Sequence, residues 1–131
     1  MIGIDTNVLV RYLTQDDPNQ ARRVDTFLET AIEDGTRLRV DDLVLCEMVW
    51  VLRAAYRLGK PAIADALDKL ISTAIFSFDD RELIRSALAD YLNGPGDFSD
   101  YVIGRRNAHA GCEHTVTFDR LLGKGSSFVL L

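Results

Sequence analysis

The chain has few of the features that would place it outside the ordinary globular classes. It has 2 cysteines and 3 prolines in 131 residues, and Cys46 and Cys112 stand far apart with no CxxC pairing. No apolar run approaches the roughly 18 residues that a membrane-spanning helix needs. The N-terminal segment MIGIDTNVLVRYL has neither the basic region nor the cleavage site of an export signal. We therefore expect a cytoplasmic protein with reduced thiols and no membrane segment.

Basic residues are also few: the chain has 15 lysines and arginines and 20 acidic residues, which gives a net charge of −5. This balance argues against a protein that holds nucleic acid through a broad basic face. It does not exclude an enzyme whose acids hold metal ions that meet the nucleic acid. Hydrophobic residues make up 47% and charged residues 27%, which is typical of a globular domain. We expect a single domain over residues 1–131.

Short apolar segments alternate with helical patterns along the chain. Strands are predicted over residues 1–5, 38–40, 76–78, 114–118 and 128–131, and helices begin near positions 18, 42, 61, 80 and 98. The segment 7–13 is too short to predict a full helix. This alternation predicts an α/β fold, a three-layer α/β/α sandwich with a short parallel sheet of four to five strands. Sites in such folds form outside the carboxyl ends of strands, where Asp5 and Asp119 lie.

Glu47 is an acid in an apolar setting. Its helical neighbours are all apolar, and no basic residue lies within four positions on either side. A carboxylate buried on an apolar face costs several kcal/mol or takes up a proton. A core glutamate paired with a distant arginine and a functional glutamate both fit this pattern, so the residue alone leaves the two interpretations open.

The other three unusual acids have structural explanations when each is considered alone. Asp97 and Asp100 in DFSD resemble a capping box. Asp5 and Asp119 could cap the turns that follow their strands. Together, however, two acids at strand ends and two in helices can converge at one edge of a parallel sheet. Clustered carboxylates repel one another, and a hard divalent cation such as Mg²⁺ or Mn²⁺ offsets that repulsion. The pattern therefore predicts metal-assisted phosphodiester hydrolysis.

Four segments of the chain resemble the motifs of one known family. IDTNVLVRYLTQDDPNQA resembles its first motif, LVLCEMVWVLRAAY its second, and DFSDYVIGRRNAHAGCEHTVTFDR its third and fourth together. By these segments the chain is similar to the PIN-domain ribonucleases, and specifically to the VapC-type toxins of toxin–antitoxin pairs. The resemblance covers essentially the whole chain in the family's order and spacing.

The resemblance implies a set of metal-binding and catalytic acids. These are Asp5, Glu47, Asp100 and Asp119, with Asp97 either a further ligand or only the helix cap. It also implies polar supports around the metal, namely Thr6, Asn7 and Thr117. The chain departs from the family at Tyr101, where a small residue is common. Arginines and lysines near these motifs are candidates for RNA contact: Arg11, Arg105, Arg106, Arg120 and Lys124.

The activity implied by the resemblance is that of an endoribonuclease that needs Mg²⁺ or Mn²⁺ and leaves a 5′-phosphate and a 3′-hydroxyl. The resemblance also implies a homodimer and a cognate antitoxin whose C-terminal segment packs in a groove and blocks the site. Trp50 and Tyr56 are candidates for lining that groove, and core packing is the alternative for both.

Three other interpretations remain open at this point. A receiver domain of a two-component regulator has a similar length and fold class, but it needs an acidic pair after the first strand, where this chain has only Asp5. A PIN-like module without catalysis would bind nucleic acid or a partner, and it would be signalled by loss of one of the four acids. A PIN-like DNA nuclease fits as well, because no element that reads a 2′-hydroxyl is recognisable.

Overall fold

The structure is a computed structural model that describes residues 1–125 and 127–131. It contains two compact units, Met1–Asp79 and Asp80–Leu131. The first unit consists of β1 (Ile2–Gly3), α1 (Thr6–Thr14), α2 (Pro18–Glu33), β2 (Leu38–Arg39), α3 (Asp42–Ala54), α4 (Lys60–Ile71) and β3 (Phe76–Ser77). The second consists of α5 (Arg81–Asn93), α6 (Phe98–His109), β4 (Thr115–Thr117), a 3₁₀ helix (Leu122–Lys124) and β5 (Phe128–Leu130).

The strands of the first unit form a parallel sheet in the order β1-β2-β3. Leu38 pairs with Ile2 on one side and with Phe76 on the other, and Leu38 and Phe76 are almost completely buried. A strand buried by helices needs apolar side chains, which these segments supply. The described strands therefore confirm the predicted α/β class with parallel pairing and the predicted number of strands, although the strands are shorter than predicted.

Aspartates begin most helices of the first unit, as the sequence indicates. The side chain of Asp17 accepts a hydrogen bond from the Gln20 amide at 3.1 Å, and that of Asp41 accepts one from the Leu43 amide at 2.8 Å. These bonds satisfy backbone donors that have no partner inside the helix. The caps fix where α2 and α3 start relative to the turns and strands before them.

The segment after Asp5 forms a helix, contrary to the sequence-based expectation. The helix α1 has 9 residues, begins after the Asp5 cap and ends at Gln15, whose backbone is left-handed with φ of 55°. Leu9 and Val10 are buried, and α1 packs against α2 and α3. Packing of an apolar face stabilises a helix that is too short to persist alone, and this long-range effect is absent from the local pattern.

The helix α3 ends at Ala54, earlier than the predicted position 58. Arg57 adopts a left-handed backbone with φ of 55°, and the Leu58 amide donates to the Leu52 carbonyl at 3.0 Å. This bond is typical of a C-terminal helix cap in which glycine is the usual left-handed residue. The sequence signal of Gly59 therefore marked the wrong residue, because an arginine takes the left-handed position.

A polar network ties the end of α1 to the segment after α3. Arg11 Nη1 donates to Asp16 Oδ1 and to the Tyr56 hydroxyl, both at 2.9 Å, and that hydroxyl donates to Asp16 Oδ2 at 2.6 Å. Arg11 Nε donates to Gln20 Oε1 at 2.6 Å. The hydrogen bond from Tyr56, followed by that from Thr14, holds the pKa of the Asp16 carboxyl below its usual value.

The second unit is built on the pair α5 and α6 and on a two-stranded parallel sheet, β4-β5. Tyr91 and Phe98 are buried and meet edge to face, with ring centroids 6.1 Å apart. The predicted single sheet is thus divided, with three strands in the first unit and two in the second. Within residues 1–125 and 127–131, no helix has the length and apolarity needed to cross a bilayer.

The network at Asp16 predicts how stability depends on pH. Because the pKa of Asp16 is lower in the folded state, its stabilising effect is complete above the ordinary carboxyl pKa and is lost as pH falls through the folded value. Replacing Tyr56 with phenylalanine removes the largest cause of that shift. We expect Tyr56→Phe to lower Tm at pH 7 and to lose less stability than wild type on acidification. Urea unfolding of both proteins at pH 7 and near pH 3 tests this. An equal loss of unfolding free energy on acidification in the two proteins would contradict it.

Gly104 predicts a steric limit in the second unit. A Cβ atom at this position would lie 2.9 Å from Phe128 Cζ, so α6 and β5 approach each other more closely than a side chain allows. We expect Gly104→Ala to lower the free energy of unfolding by about 1–3 kcal/mol, despite the better helix propensity of alanine. Phe128→Leu combined with Gly104→Ala should cost less than the sum of the two single changes. Additive losses in urea unfolding would show that the ring is not the cause.

Candidate active site

Asp5 lies at the end of the first strand, where the sequence places a metal ligand. It caps α1, its Oδ1 accepts from the Val8 amide at 3.4 Å, and the side chain is exposed. No described residue binds Oδ2. The cap therefore holds the carboxylate at the carboxyl edge of the sheet and leaves one oxygen for a ligand.

Glu47 lies on α3 with an environment that differs from the expected one. It is exposed and makes no hydrogen bond or ion pair with any described residue. Leu43 and Trp50, one turn before and after it, are 73% and 66% exposed. The face is apolar, as the sequence indicates, but it is hydrated. The expected cost of burying a charge is therefore absent, and Glu47 needs no internal arginine as a partner.

Two further acids stand at the same edge of the first unit's sheet. Continuing the strand register places Asp5, Asp41 and Asp79 at equivalent positions after β1, β2 and β3. Arg39 binds both oxygens of Asp79, at 2.7 and 3.2 Å, and Asp41 Oδ2 at 3.1 Å. This arginine is not among the residues that the sequence pattern predicted for the site. Its signal is a basic residue inside an otherwise apolar strand, LRV. Arg39 thus forms ion pairs with Asp41 and Asp79 and does not bind Asp5.

In the second unit, Asp97 and Asp100 start α6 as the predicted capping box. Asp100 Oδ2 accepts from the Asp97 amide at 2.8 Å, and no described residue binds Oδ1. The Tyr101 hydroxyl, at the position that departs from the family pattern, accepts from the Gly96 amide at 2.9 Å. Asp100 therefore acts as a structural cap through one oxygen and offers the other to a ligand.

Asp119 follows β4 and is also a cap. Its Oδ1 accepts from the Leu121 and Leu122 amides at 2.9 and 3.2 Å, and its own amide donates to Thr117 Oγ1 at 3.0 Å. The side chain is exposed, and Oδ2 is unbound by described residues. Thr117 thus accepts a hydrogen bond from the Asp119 backbone, and its role as a support around a metal stays a prediction. Thr6 is the first residue of α1, and Asn7 next to it is exposed.

These acids suit a divalent cation by their chemistry. Each of Asp5, Asp100 and Asp119 keeps one unbound carboxylate oxygen and Glu47 keeps two, counted over the described residues. Carboxylate oxygens on hydrated positions are the ligands that Mg²⁺ and Mn²⁺ prefer. Within residues 1–125 and 127–131, no group of three His, Cys, Asp or Glu residues is placed to hold a metal ion. The joint binding of a cation by the four acids therefore stays a prediction.

The candidate RNA-binding cations fall into two groups. Arg11 is held by Asp16, and Arg105 forms a two-bond ion pair with Asp90 at 2.7 and 2.8 Å. Arg120 and Lys124 are exposed, and their side chains bind no described residue. Arg106 is half-buried and has a partner within the chain. Arg120 and Lys124 are therefore the candidate cations whose side chains make no hydrogen bond or ion pair with a described residue.

The aromatic residues proposed to line one groove differ in their surroundings. Trp50 is exposed, whereas the Tyr56 hydroxyl is held by Arg11 and Asp16. Tyr56 therefore has a structural role that the sequence did not indicate. Cys46, next to Glu47, has its pKa raised to about 11, chiefly by burial and then by the charges of Asp42 and Asp41. The thiol is therefore protonated at neutral pH in this environment.

Two comparisons with known proteins show which family the sequence matches. A VapC ribonuclease of Aquifex aeolicus is 24% identical to the chain over 121 residues, which cover 92% of the chain and 89% of the relative. The family model described as PIN domain matches residues 2–122, a range that includes all four candidate acids and parts of both units. Since that match extends over most of the sequence, the chain belongs to the PIN domain family.

Proposed function

We propose that the protein is a metal-dependent endoribonuclease that acts as the toxin of a toxin–antitoxin pair. The observation that carries this proposal is the set of four acids, three of them fixed as caps with one unbound oxygen each. A capping bond holds the carboxylate in a fixed orientation and leaves its second oxygen available to a ligand. A similar chain named as a VapC ribonuclease supports the choice of RNA as the substrate.

In this mechanism Asp5, Glu47, Asp100 and Asp119 would hold Mg²⁺ or Mn²⁺, and Asp97 is either an outer contact or only the cap. The bound ion would lower the pKa of a water molecule and stabilise the charge that develops on the phosphate. The chain's own contribution is orientation. Thr117 fixes the backbone of Asp119, and the capping bonds fix Asp5 and Asp100.

The alternatives within the family are a DNA nuclease and a module that binds without catalysis. All four acids are present and exposed or half-buried, which favours catalysis over binding alone. RNA and DNA differ in the 2′-hydroxyl, and none of the candidate residues is assigned a contact with that group. Matched RNA and DNA strands of the same sequence therefore distinguish the two nucleases.

We also propose a cytosolic setting, a homodimer and a cognate antitoxin. An acidic site is blocked most directly by an arginine of the partner, which forms paired bonds with carboxylates. The exposed apolar pair Leu43 and Trp50 flanks Glu47 and would receive an apolar segment of that partner. Both cysteines are free thiols, as a reducing compartment requires.

The first prediction of this proposal concerns Asp100. Asparagine keeps the oxygen that accepts from the Asp97 amide but removes the charge, so Asp100→Asn should fold with an unchanged or higher Tm. RNA cleavage should fall by about 100-fold or more, the usual loss when one group that stabilises transition-state charge is removed. Asp68→Asn, an exposed acid of α4, removes the same charge and should cleave like wild type.

Cleavage is measured on matched single-stranded RNA and DNA, with the ends of the products mapped. Activity of Asp100→Asn at the wild-type rate would refute the site. Cleavage of DNA but not RNA would replace the ribonuclease with the DNA nuclease, and the absence of cleavage by wild type on either strand would favour the binding module.

The second prediction concerns metal binding without reference to activity. Mn²⁺ should raise Tm because it binds the folded site, and a cation at about 100 times its Kd adds about 2.7 kcal/mol. The gain should shrink as pH falls, since protons compete for the carboxylates. Glu47→Gln should reduce the gain, whereas Glu29→Gln on the exposed side of α2 should not. Equal gains in the Glu47 and Glu29 variants would place the cation elsewhere.

A further inference from the structure

A cavity of about 310 Å³ lies in the first unit between α1 and α2. Both polar and apolar side chains line it. The polar residues include Asn7, Arg11 and Arg23, and the apolar ones are Val8, Val24 and Phe27. Its volume is at the lower end of the range for small-molecule sites, and its mixed wall suits a ligand that carries both a charge and a flat apolar group.

Arg11 presents a fixed donor to this cavity. Its Nε and Nη1 are bound to Gln20, Asp16 and Tyr56, whereas Nη2 makes no hydrogen bond with a described residue. The guanidinium is therefore already oriented by three acceptors, and binding an anion through Nη2 requires no new ordering of a long side chain. Preorganisation of this kind lowers the entropic cost of binding.

Asp16 neutralises the charge of Arg11. The positive charge that remains available at the cavity is therefore that of Arg23. Arg23 is exposed and binds no described residue. Its neighbour Arg22 does not line this cavity and donates instead to Asn19 Oδ1 at 2.6 Å. The chain carries a net charge of −5, so attraction of a polyanion depends on local cations such as this one.

The cavity lies close to the candidate active site along the chain. Asn7 lines the cavity and follows Asp5 by two residues at the start of α1. Two residues of chain span at most about 7 Å, which is close to the spacing of successive phosphates in a nucleic-acid strand. A strand whose phosphate is cleaved beside Asp5 therefore has its neighbouring nucleotide within reach of the cavity.

We propose that this cavity binds one unpaired nucleotide of the RNA next to the cleaved bond. Its phosphate contacts Arg23 and Arg11 Nη2, and its base lies against Val8, Val24 and Phe27. The proposal rests on the ribonuclease function proposed above and assigns an unpaired nucleotide to this cavity, because a paired base cannot turn into a pocket of this size. Arg23 is a binding residue in this account and takes no part in the chemistry.

The test measures RNA affinity with cleavage suppressed. A fluorescein-labelled single-stranded oligoribonucleotide of mixed sequence is titrated by anisotropy, in Mg²⁺, with Asp100→Asn alone and combined with Arg23→Gln or Arg22→Gln. Each variant removes one positive charge, and the two arginines are adjacent on α2. Arg22→Gln is therefore a matched control for Arg23→Gln. We expect Arg23→Gln to raise Kd about tenfold, as expected for a lost charged hydrogen bond. The slope of log K against log salt should fall by about 0.7. Arg22→Gln should change Kd less than about twofold.

Equal effects of the two variants, or an unchanged salt slope for Arg23→Gln, would overturn the proposal. The same holds if a hairpin stem of the same composition binds as tightly as the single strand. If Arg23→Gln weakens inhibition by the antitoxin but leaves RNA affinity unchanged, the cavity takes a peptide and the nucleotide assignment is wrong. Wild type that cleaves neither RNA nor DNA contradicts the nuclease function itself, whereas cleavage with unchanged affinity in Arg23→Gln contradicts only this inference.

Discussion

The register of three very short parallel strands is the constraint on which the first unit depends. Pairing of Ile2 with Leu38 and of Leu38 with Phe76 sets the strand ends level, so the segments that follow start at one edge. At two of these ends an aspartate begins a helix. The backbone thus brings Asp5 and the segments after β2 and β3 to one edge of this sheet, the edge at which sites form in parallel α/β sheets.

In three of the candidate acids, capping uses only one oxygen of the carboxylate. Asp5, Asp100 and Asp119 each accept backbone donors through one oxygen. A carboxylate held in this way loses little side-chain entropy on binding a cation, because the cap has already restricted it. The caps thus give a physical reason why these acids look structural when considered singly and functional when considered together.

Local patterns predicted most of the helices, and long-range contacts explain where they failed. The caps Asp17, Asp41 and Asp97 follow from sequence because a helix start depends on a few adjacent residues. The helix α1 does not, since its stability comes from burial of Leu9 and Val10 against other helices. The hydrated environment of Glu47 was missed for the same reason. Periodicity identifies an apolar face but does not show what covers it.

The same limit applies to the candidate site. Its acids could be predicted because carboxylates at strand ends and in an apolar helix are locally unusual. Arg39 and the Arg11–Asp16–Tyr56 network could not, because each joins residues about forty positions apart. The grouping of the four acids is also a long-range property. It stays a prediction, drawn from the positions of the acids in the sequence and from the family resemblance.

Tyr101 has a consequence for how this sequence can vary. Its hydroxyl binds the Gly96 amide, and a Cβ atom at Gly94 would overlap that hydroxyl. The large side chain next to Asp100 is therefore accommodated only because the preceding turn has no side chain at position 94. The residues at positions 94 and 101 are therefore coupled. A larger residue at position 94 is tolerated only after Tyr101 has been replaced by a small residue, so their geometry sets the order in which the two can change.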